Sequence, residues 1–296
     1  MIESSLLIAG SIAIDTIETP EDRRENILGG SITYALIAAH RYVGCNVVGI
    51  VGSDFPKEGK ELYQTFANNL KDLQEVTGPT FSWGGRYLEN WDDRETLFTE
   101  LGVFEDFKPK LCDENKDVKT VLLANIHPDL QNSIIDQSDA NNFILDTMNL
   151  WINTTKPQLE DVLKKIHILL LNKSEAELLT NHSDPQKAGK ELLNFGPEKV
   201  IVKLGSEGAL YINETDQIRI GAYPVEKIVD PTGAGDVFAG AFSGILAAGG
   251  NEVEAVIQAS ALASICVEGF GPEMLLNCSV EDVNDRIGFL QNTLEL

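Results

Sequence analysis

The residues with the clearest chemical potential are Asp230-Pro231-Thr232-Gly233-Ala234-Gly235-Asp236, followed directly by the apolar helical run Val237-Phe238-Ala239-Gly240-Ala241-Phe242. Small residues opening a helix let the backbone N–H groups of Gly233, Ala234 and Gly235 point at one spot, where the helix dipole also favours negative charge. Such a spot is an anion hole suited to a phosphoryl group. A carboxylate in a first helical turn can do no more than complement the dipole. Beside an anion hole, Asp236 also has the place of a general base, taking the proton of a hydroxyl that attacks a γ-phosphate.

Other candidates are scattered along the chain. Gly205 and Gly208 follow an apolar run at 200–203, either as a β-turn or as a place where backbone can approach a nucleotide. Asn172 with Glu175 three residues on has the form of a capping box. Asn125 ends the run 121–124, where an open α/β sheet meets its ligands. Asp15 follows the first strand-like run as a turn residue or a ligand contact. Four of the seven arginines, Arg23, Arg24, Arg86 and Arg94, fall in two irregular segments, and a guanidinium fork suits phosphate or carboxylate. Arg86, after Gly84-Gly85 and before Tyr87, is the foremost of them, and it would favour an anionic acceptor. The competing reading pairs these arginines with Glu21, Asp22, Asp92, Asp93 and Glu95 as solvated surface ion pairs. No Walker A sequence and no GxGxxG is present, which argues against P-loop and dinucleotide-binding chemistry.

The elements that must position these residues are legible as a rhythm. Short apolar runs at 6–10, 47–51, 121–124, 143–145, 168–171 and 200–202 alternate with amphipathic segments at 31–43, 58–70, 157–165 and 185–195. That alternation predicts a doubly wound, mostly parallel α/β/α sheet, as one domain over 1–296. A hairpin-like stretch after Tyr211 and three helices at 234–248, 252–268 and 280–291 complete it. Segments 12–26 and 77–101 break the rhythm with alternating polar and apolar residues. They predict paired strands outside the main sheet, a small β-lid over one edge, whose Phe81, Trp83, Tyr87 and Trp91 offer a surface for pairing with a second copy.

Composition removes several function classes. A formal charge of -23 on 296 residues repels nucleic-acid backbones and anionic lipid surfaces, so neither nucleic acid nor membrane is expected as a partner. The apolar stretch 237–250 is shorter than the roughly 20 residues that span a bilayer. Cys45, Cys112, Cys266 and Cys278 show no CxxC spacing, and the four histidines form no HExxH pair, so a reducing, cytoplasmic setting without structural zinc is expected. The opening MIESSLLIAGSIAID has no basic region and is broken by Gly10 and Asp15, unlike a signal peptide.

The stretch DPTGAGDVFAGAFS resembles, position by position, the C-terminal motif of the PfkB or ribokinase-like family of carbohydrate kinases. Gly29-Gly30 at the opening of the first helix, Asn172-Lys173-Ser174-Glu175 as the NxxE element, and Lys203-Leu204-Gly205-Ser206-Glu207-Gly208 as the nucleotide loop follow in order, so the resemblance spans the chain. It implies a ribokinase-like fold and transfer of the ATP γ-phosphoryl to a hydroxyl of a small sugar or sugar derivative. A nucleoside or vitamin acceptor, or a regulator without turnover, is the alternative. The resemblance implies that Asp236 is the base, that Gly233, Ala234 and Gly235 line the anion hole, and that Lys203, Gly205 and Gly208 adjoin ATP. It further implies that Asn172 and Glu175 organise Mg²⁺ through oxygens. Asp230 and Thr232 match positions that in many members help hold a monovalent cation, potassium here, while Asp15, Gly29 and Gly30 match the substrate end. Family members commonly carry Asn shortly after the glycine pair, where this chain has Ser31-Ile32-Thr33.

Overall fold

A computed structural model describes residues 4–88, 91 and 94–295. The strands are apolar runs at the centre of the main sheet and more polar stretches elsewhere. They are β1 (Ser4–Ala9), β2 (Ala13–Glu18), β3 (Arg23–Gly29), β4 (Gly44–Gly52), β5 (Ala67–Val76), β6 (Ser82–Tyr87) and β7 (Arg94–Glu100). The second half of the chain adds β8 (Thr120–Leu123), β9 (Asn142–Asp146), β10 (Ile168–Asn172), β11 (Lys199–Lys203), β12 (Ala209–Ile212) and β13 (Gln217–Ile220). Nine of them make one sheet in the order β13-β12-β11-β10-β9-β8-β1-β4-β5. From β11 to β5 every pairing is parallel, and β12 and β13 close the other edge as an antiparallel hairpin.

Side chains alternate between the two faces of each strand, and both faces are buried. Leu6, Ile8, Ile144, Leu170 and Ile201 join the core under helices Ser31–Ala39, Ala234–Ala247 and Glu252–Cys266. Leu7, Leu145, Leu169, Val200 and Val202 join a second core under helices Lys156–Leu163, Lys173–Thr180 and Pro185–Leu192. This is the doubly wound α/β/α architecture, and it explains why the central strands read as continuous apolar runs.

Helices Ser31–Ala39 and Ala234–Ala247 lie against each other over the C-terminal strand ends. Their approach depends on glycine: a Cβ on Gly240 would stand 2.2 Å from the Ala35 carbonyl oxygen. The small residues that mark the motif helix in the sequence are therefore packing requirements as much as chemical ones.

Residues 67–76 differ from the sequence expectation of a helix over 58–70. The helix ends at Phe66, and Ala67–Val76 becomes the edge strand next to β4. ANNLKDLQEV has few apolar residues because an edge strand keeps much of its surface wet, so its pattern is weak. Asp72 anchors it, accepting hydrogen bonds from the Cys112 amide (2.9 Å) and the Asn115 side chain (2.6 Å).

The two irregular segments meet in a second, four-stranded sheet of order β3-β2-β6-β7. β2 and β6 pair in parallel, with Asp15 opposite Trp83 and Glu18 opposite Arg86, and β7 returns antiparallel with Arg94 opposite Tyr87. Its aromatics are used within the chain: Phe81 packs on Phe104, with 5.7 Å between ring centroids, and Tyr87 is 6% exposed. The apolar surface left on this sheet is instead Leu88, Leu97 and Leu101. Asp92 and Asp93, candidate partners of the arginines, lie outside the described residues. No helix among the described residues is long and apolar enough to cross a membrane.

Candidate active site

Parallel strands deliver their C-terminal ends to one edge, and the chemistry-bearing residues collect there. β9 ends at Asp146, β10 at Asn172 and β11 at Lys203. Each lies two residues beyond a member of the first core, Ile144, Leu170 and Ile201 respectively. Period-two alternation therefore aims all three at the face carrying helix Ala234–Ala247.

That helix opens at Gly233, which caps it in the left-handed region at φ 80° and leaves no room for a side chain against the Tyr34 ring. The Ala234 amide donates to the Pro231 carbonyl at 3.3 Å, whereas no backbone carbonyl among the described residues takes the amides of Gly235 and Asp236. A Cβ on Gly235 would meet only the Lys203 Nζ, at 3.3 Å. The helix end thus presents free N–H groups with a lysine ammonium beside them, an anion site by geometry and charge.

Lys203 donates to Asp146 Oδ1 at 2.8 Å, with side-chain exposures of 17% and 6%. Asp236 keeps an opening to solvent. Even so, loss of hydration, followed by the charge of Asp146, pushes its carboxyl up to about 7 against the pull of Lys203 and Arg94. Carboxyls tuned to neutrality suit proton transfer at physiological pH.

Asn172 and Glu175 form a reciprocal capping box: Asn172 Oδ1 accepts from the Glu175 amide at 2.9 Å, and Glu175 Oε2 accepts from the Asn172 amide at 2.7 Å. Glu175 is buried, and desolvation raises its carboxyl to about 7 while Lys203 opposes the shift. Gly205 and Gly208, with φ 59° and 95°, turn the chain from β11 into β12, and no atom lies within 4 Å of a Cβ on Gly205. Gly205 therefore faces open space, while Gly208 is a turn pressed against the Ile220 carbonyl.

Asp15, on β2, is 4% exposed. A Cβ on Gly29 would strike Asp15 Oδ2, and Gly30 supplies it with a backbone hydrogen bond. Its Oδ1 has no partner, and burial, then the charges of Asp230 and Asp236, push the carboxyl up to about 8. Tyr34, 1% exposed, also has an unpartnered hydroxyl. The charge of Asp15 is felt at the Tyr34 hydroxyl, so the two orphaned buried polar atoms belong to one neighbourhood.

Asp230 and Thr232 are engaged inside the protein. Asp230 accepts from the Thr232 amide (2.8 Å) and the Gly271 amide (3.1 Å), and Thr232 Oγ1 donates to the Tyr87 hydroxyl at 3.0 Å. Among the described residues no three His, Cys, Asp or Glu side chains form a ready-made metal cluster.

Four sequence candidates have side-chain partners outside this group of residues. Asn125 is taken by Trp151 Nε1 (2.8 Å) and Met148 Sδ (3.1 Å). Arg86 bonds Glu18 at 2.8 Å with Glu95 at 3.7 Å, half in solvent, and Arg23 and Arg24 pair locally with Glu25 and Asp22. Arg94, whose guanidinium lies 5.2 Å over Trp83, is the arginine of the four-stranded sheet whose charge is felt, weakly, at Asp15, Glu175 and Asp236. Sequence reasoning overlooked Asp146, Tyr34 and Tyr87. The strand end after 143–145 was the signal available for the first, and the first turn of the helix after Gly29-Gly30 for the second.

The fold and this centre together define a ribokinase-like kinase architecture. A Burkholderia thailandensis nucleoside kinase in complex with inosine superposes with a TM-score of 0.84, covering 96% of this chain and 97% of its own, at 17% identity. An Escherichia coli protein assigned as a ribokinase II, solved with ATP and Mg²⁺, gives 0.81 over 97% of this chain and 99% of its own, at 23% identity. The description "pfkB family carbohydrate kinase" matches residues 103–276, more than half of the chain, and the chain belongs to that family. The cytidine kinase of Thermococcus kodakarensis is 27% identical over 244 residues, 80% of this chain and 86% of that enzyme.

Proposed function

We propose that the protein transfers the γ-phosphoryl group of ATP to a hydroxyl of a neutral ribose-containing acceptor, a nucleoside before a free sugar. The observation that carries the reading is the pairing of two carboxyls across one centre. Asp236 stands at the open helix end, and Asp15, with its orphaned oxygen, stands close enough to feel its charge.

Asp15 and Tyr34 would take the acceptor's hydroxyls, restoring the hydrogen bonds their buried oxygens lack. Asp236 would receive the proton of the attacking hydroxyl, and the Gly235 and Asp236 amides would hold the charge of the transferring group. Mg²⁺ would be held by oxygens near Asn172 and Glu175 and would neutralise charge on the phosphates. A monovalent cation beside Asp230 and Thr232 would share their oxygens with the hydrogen bonds they already make, using the lone pairs that remain together with backbone carbonyls. The four-stranded sheet would act as a lid, held down by the Tyr87 hydrogen bond to Thr232, and would keep water from the phosphate.

Three considerations favour a neutral acceptor over the anionic one that Arg86 suggested. Arg86 is engaged with Glu18 at the surface. The acceptor end is acidic, with the charges of Asp230 and Asp236 both felt at Asp15. Two relatives that each match 80% of the chain, the cytidine kinase among them, act by name on nucleosides, and a third that matches 91% of it is by name a ribokinase. A screen of ADP release against nucleosides, sugars, sugar phosphates and vitamins tests the reading. Nucleosides should give the highest kcat/KM. A sugar phosphate as best acceptor, or no turnover with any member, would overturn it.

A further inference from the structure

Lys203 and Asp146 sit on strands β11 and β9, with β10 between them. Two strand spacings set β11 roughly 9.5 Å from β9, and Asp146 is level with Ile201, two residues short of Lys203, so Lys203 lies stretched across the sheet edge to reach Asp146 Oδ1 at 2.8 Å. Both belong to the face that carries the motif helix, and the ammonium ends 3.3 Å from the Cβ position of Gly235. Asp146 is itself fixed: the Thr147 amide bonds its carboxylate, and its carbonyl accepts from Gln131 Nε2 at 3.3 Å.

A buried ion pair is a poor device for stability, since desolvation offsets most of its attraction and an apolar pair of similar volume is often better. Its position suggests a different use. An ammonium carries three donors. One is occupied by Asp146, and those that remain lie next to the free amides of Gly235 and Asp236. Holding the side chain in one rotamer in advance removes the rotamer entropy that a free lysine loses when it engages a ligand. We infer that Lys203 contacts the transferring phosphoryl group directly and that Asp146 is the positioning residue that aims it. The inference rests on the kinase reading above.

The test uses the full chain and three variants: Lys203→Met, Asp146→Asn and the double variant. With the best acceptor of the screen, Lys203→Met should lower kcat by about 10²- to 10³-fold, the scale of a lost transition-state donor. Asp146→Asn should lower kcat by about tenfold, the scale of a misplaced group, with the acceptor KM unchanged. The double variant removes both charges together, so it should melt close to the wild type and still turn over at the Lys203→Met level. If the pair only stabilises the fold, the double variant regains activity within about threefold of wild type, and the inference is overturned.

A second measurement needs no acceptor. Wild type should bind ADP with tetrafluoroaluminate more tightly than ADP alone, and the double variant should lose that gain while keeping its ADP affinity. If the gain persists in the double variant, the inference fails even should the acceptor be something other than a nucleoside or sugar. If wild type shows the gain but turns over no screened acceptor, the acceptor reading fails and the role of Lys203 stands.

Discussion

Replacing Asp236 with Asn tests the proposed base directly, because it keeps the size of the side chain and removes only its capacity to take a proton. Burial holds the Asp236 carboxyl at about 7 in place of its ordinary 3.8. A group at 7 is ionised to about a tenth at pH 6 and about nine-tenths at pH 8, so kcat at saturating ATP and acceptor should climb about tenfold between them. At pH 8 the Asn variant should be slower by about 10²- to 10⁴-fold, and its profile should lose the acid limb. Stability should move the other way. Raising the carboxyl from 3.8 to about 7 costs the ionised fold on the order of 4 kcal/mol at most at pH 8. The Asn variant should therefore melt above wild type at pH 8, with the gap shrinking as the pH falls towards 4. A coupled ADP-release assay and thermal melts across pH 5–8.5 measure both. An Asn variant with kcat within about threefold of wild type, or one that retains the acid limb, would refute the base assignment and leave Asp236 as a dipole complement.

Gly235→Val should leave melting within a few degrees, since the added side chain meets only the flexible end of Lys203; turnover should fall by about a hundredfold as the phosphate is crowded, and a variant as active as wild type would contradict the anion site. Asp15, held at about 8, must ionise to accept two hydroxyls, so acceptor KM should fall as pH rises from 6.5 to 8.5, with proton release on binding; a flat KM profile, or one kept in Asp15→Asn, would count against its acceptor role. Asp15, Glu175 and Asp236 sit at about 8, 7 and 7, above unfolded values of 3.8, 4.5 and 3.8, so the fold retains protons that the unfolded chain has lost. Stability should then decline as pH rises from about 4 to 8, and ligand-free protein melting higher at pH 8.5 than at pH 5.5 would show that these carboxyls are not desolvated as described. Arg94→Ala should depress kcat/KM by about tenfold or more and Arg86→Ala should not, as expected for a charge near the reacting group against a solvated pair; the reverse order would return the acceptor contact to Arg86.

What the sequence determined by itself was whatever local pattern encodes. The run DPTGAGD before an apolar helix announced an anion-binding helix end, because small residues and a first-turn carboxylate are local requirements of that geometry. The apolar runs at β1, β4, β8, β9, β10 and β11 announced a parallel sheet, because strands buried on both faces must be apolar throughout. Edge strand β5 escaped, since a half-wet strand needs no such run.

Tertiary structure alone decided which charged groups meet. Lys203 and Asp146 are 57 residues apart, and Tyr87 and Thr232 are 145 apart. Nothing in the neighbourhood of either partner specifies the other; strand order and the shared face of the sheet bring them together. The arginines make the same point. Arg86 and Arg94 are equivalent as residue types, but Arg86 lies opposite Glu18 in the sheet, whereas Arg94 lies opposite Tyr87, whose hydroxyl reaches Thr232 of the motif loop. Register, which a sequence pattern constrains only to the choice of face, determined which of the two lies beside the residue bonded to the motif loop.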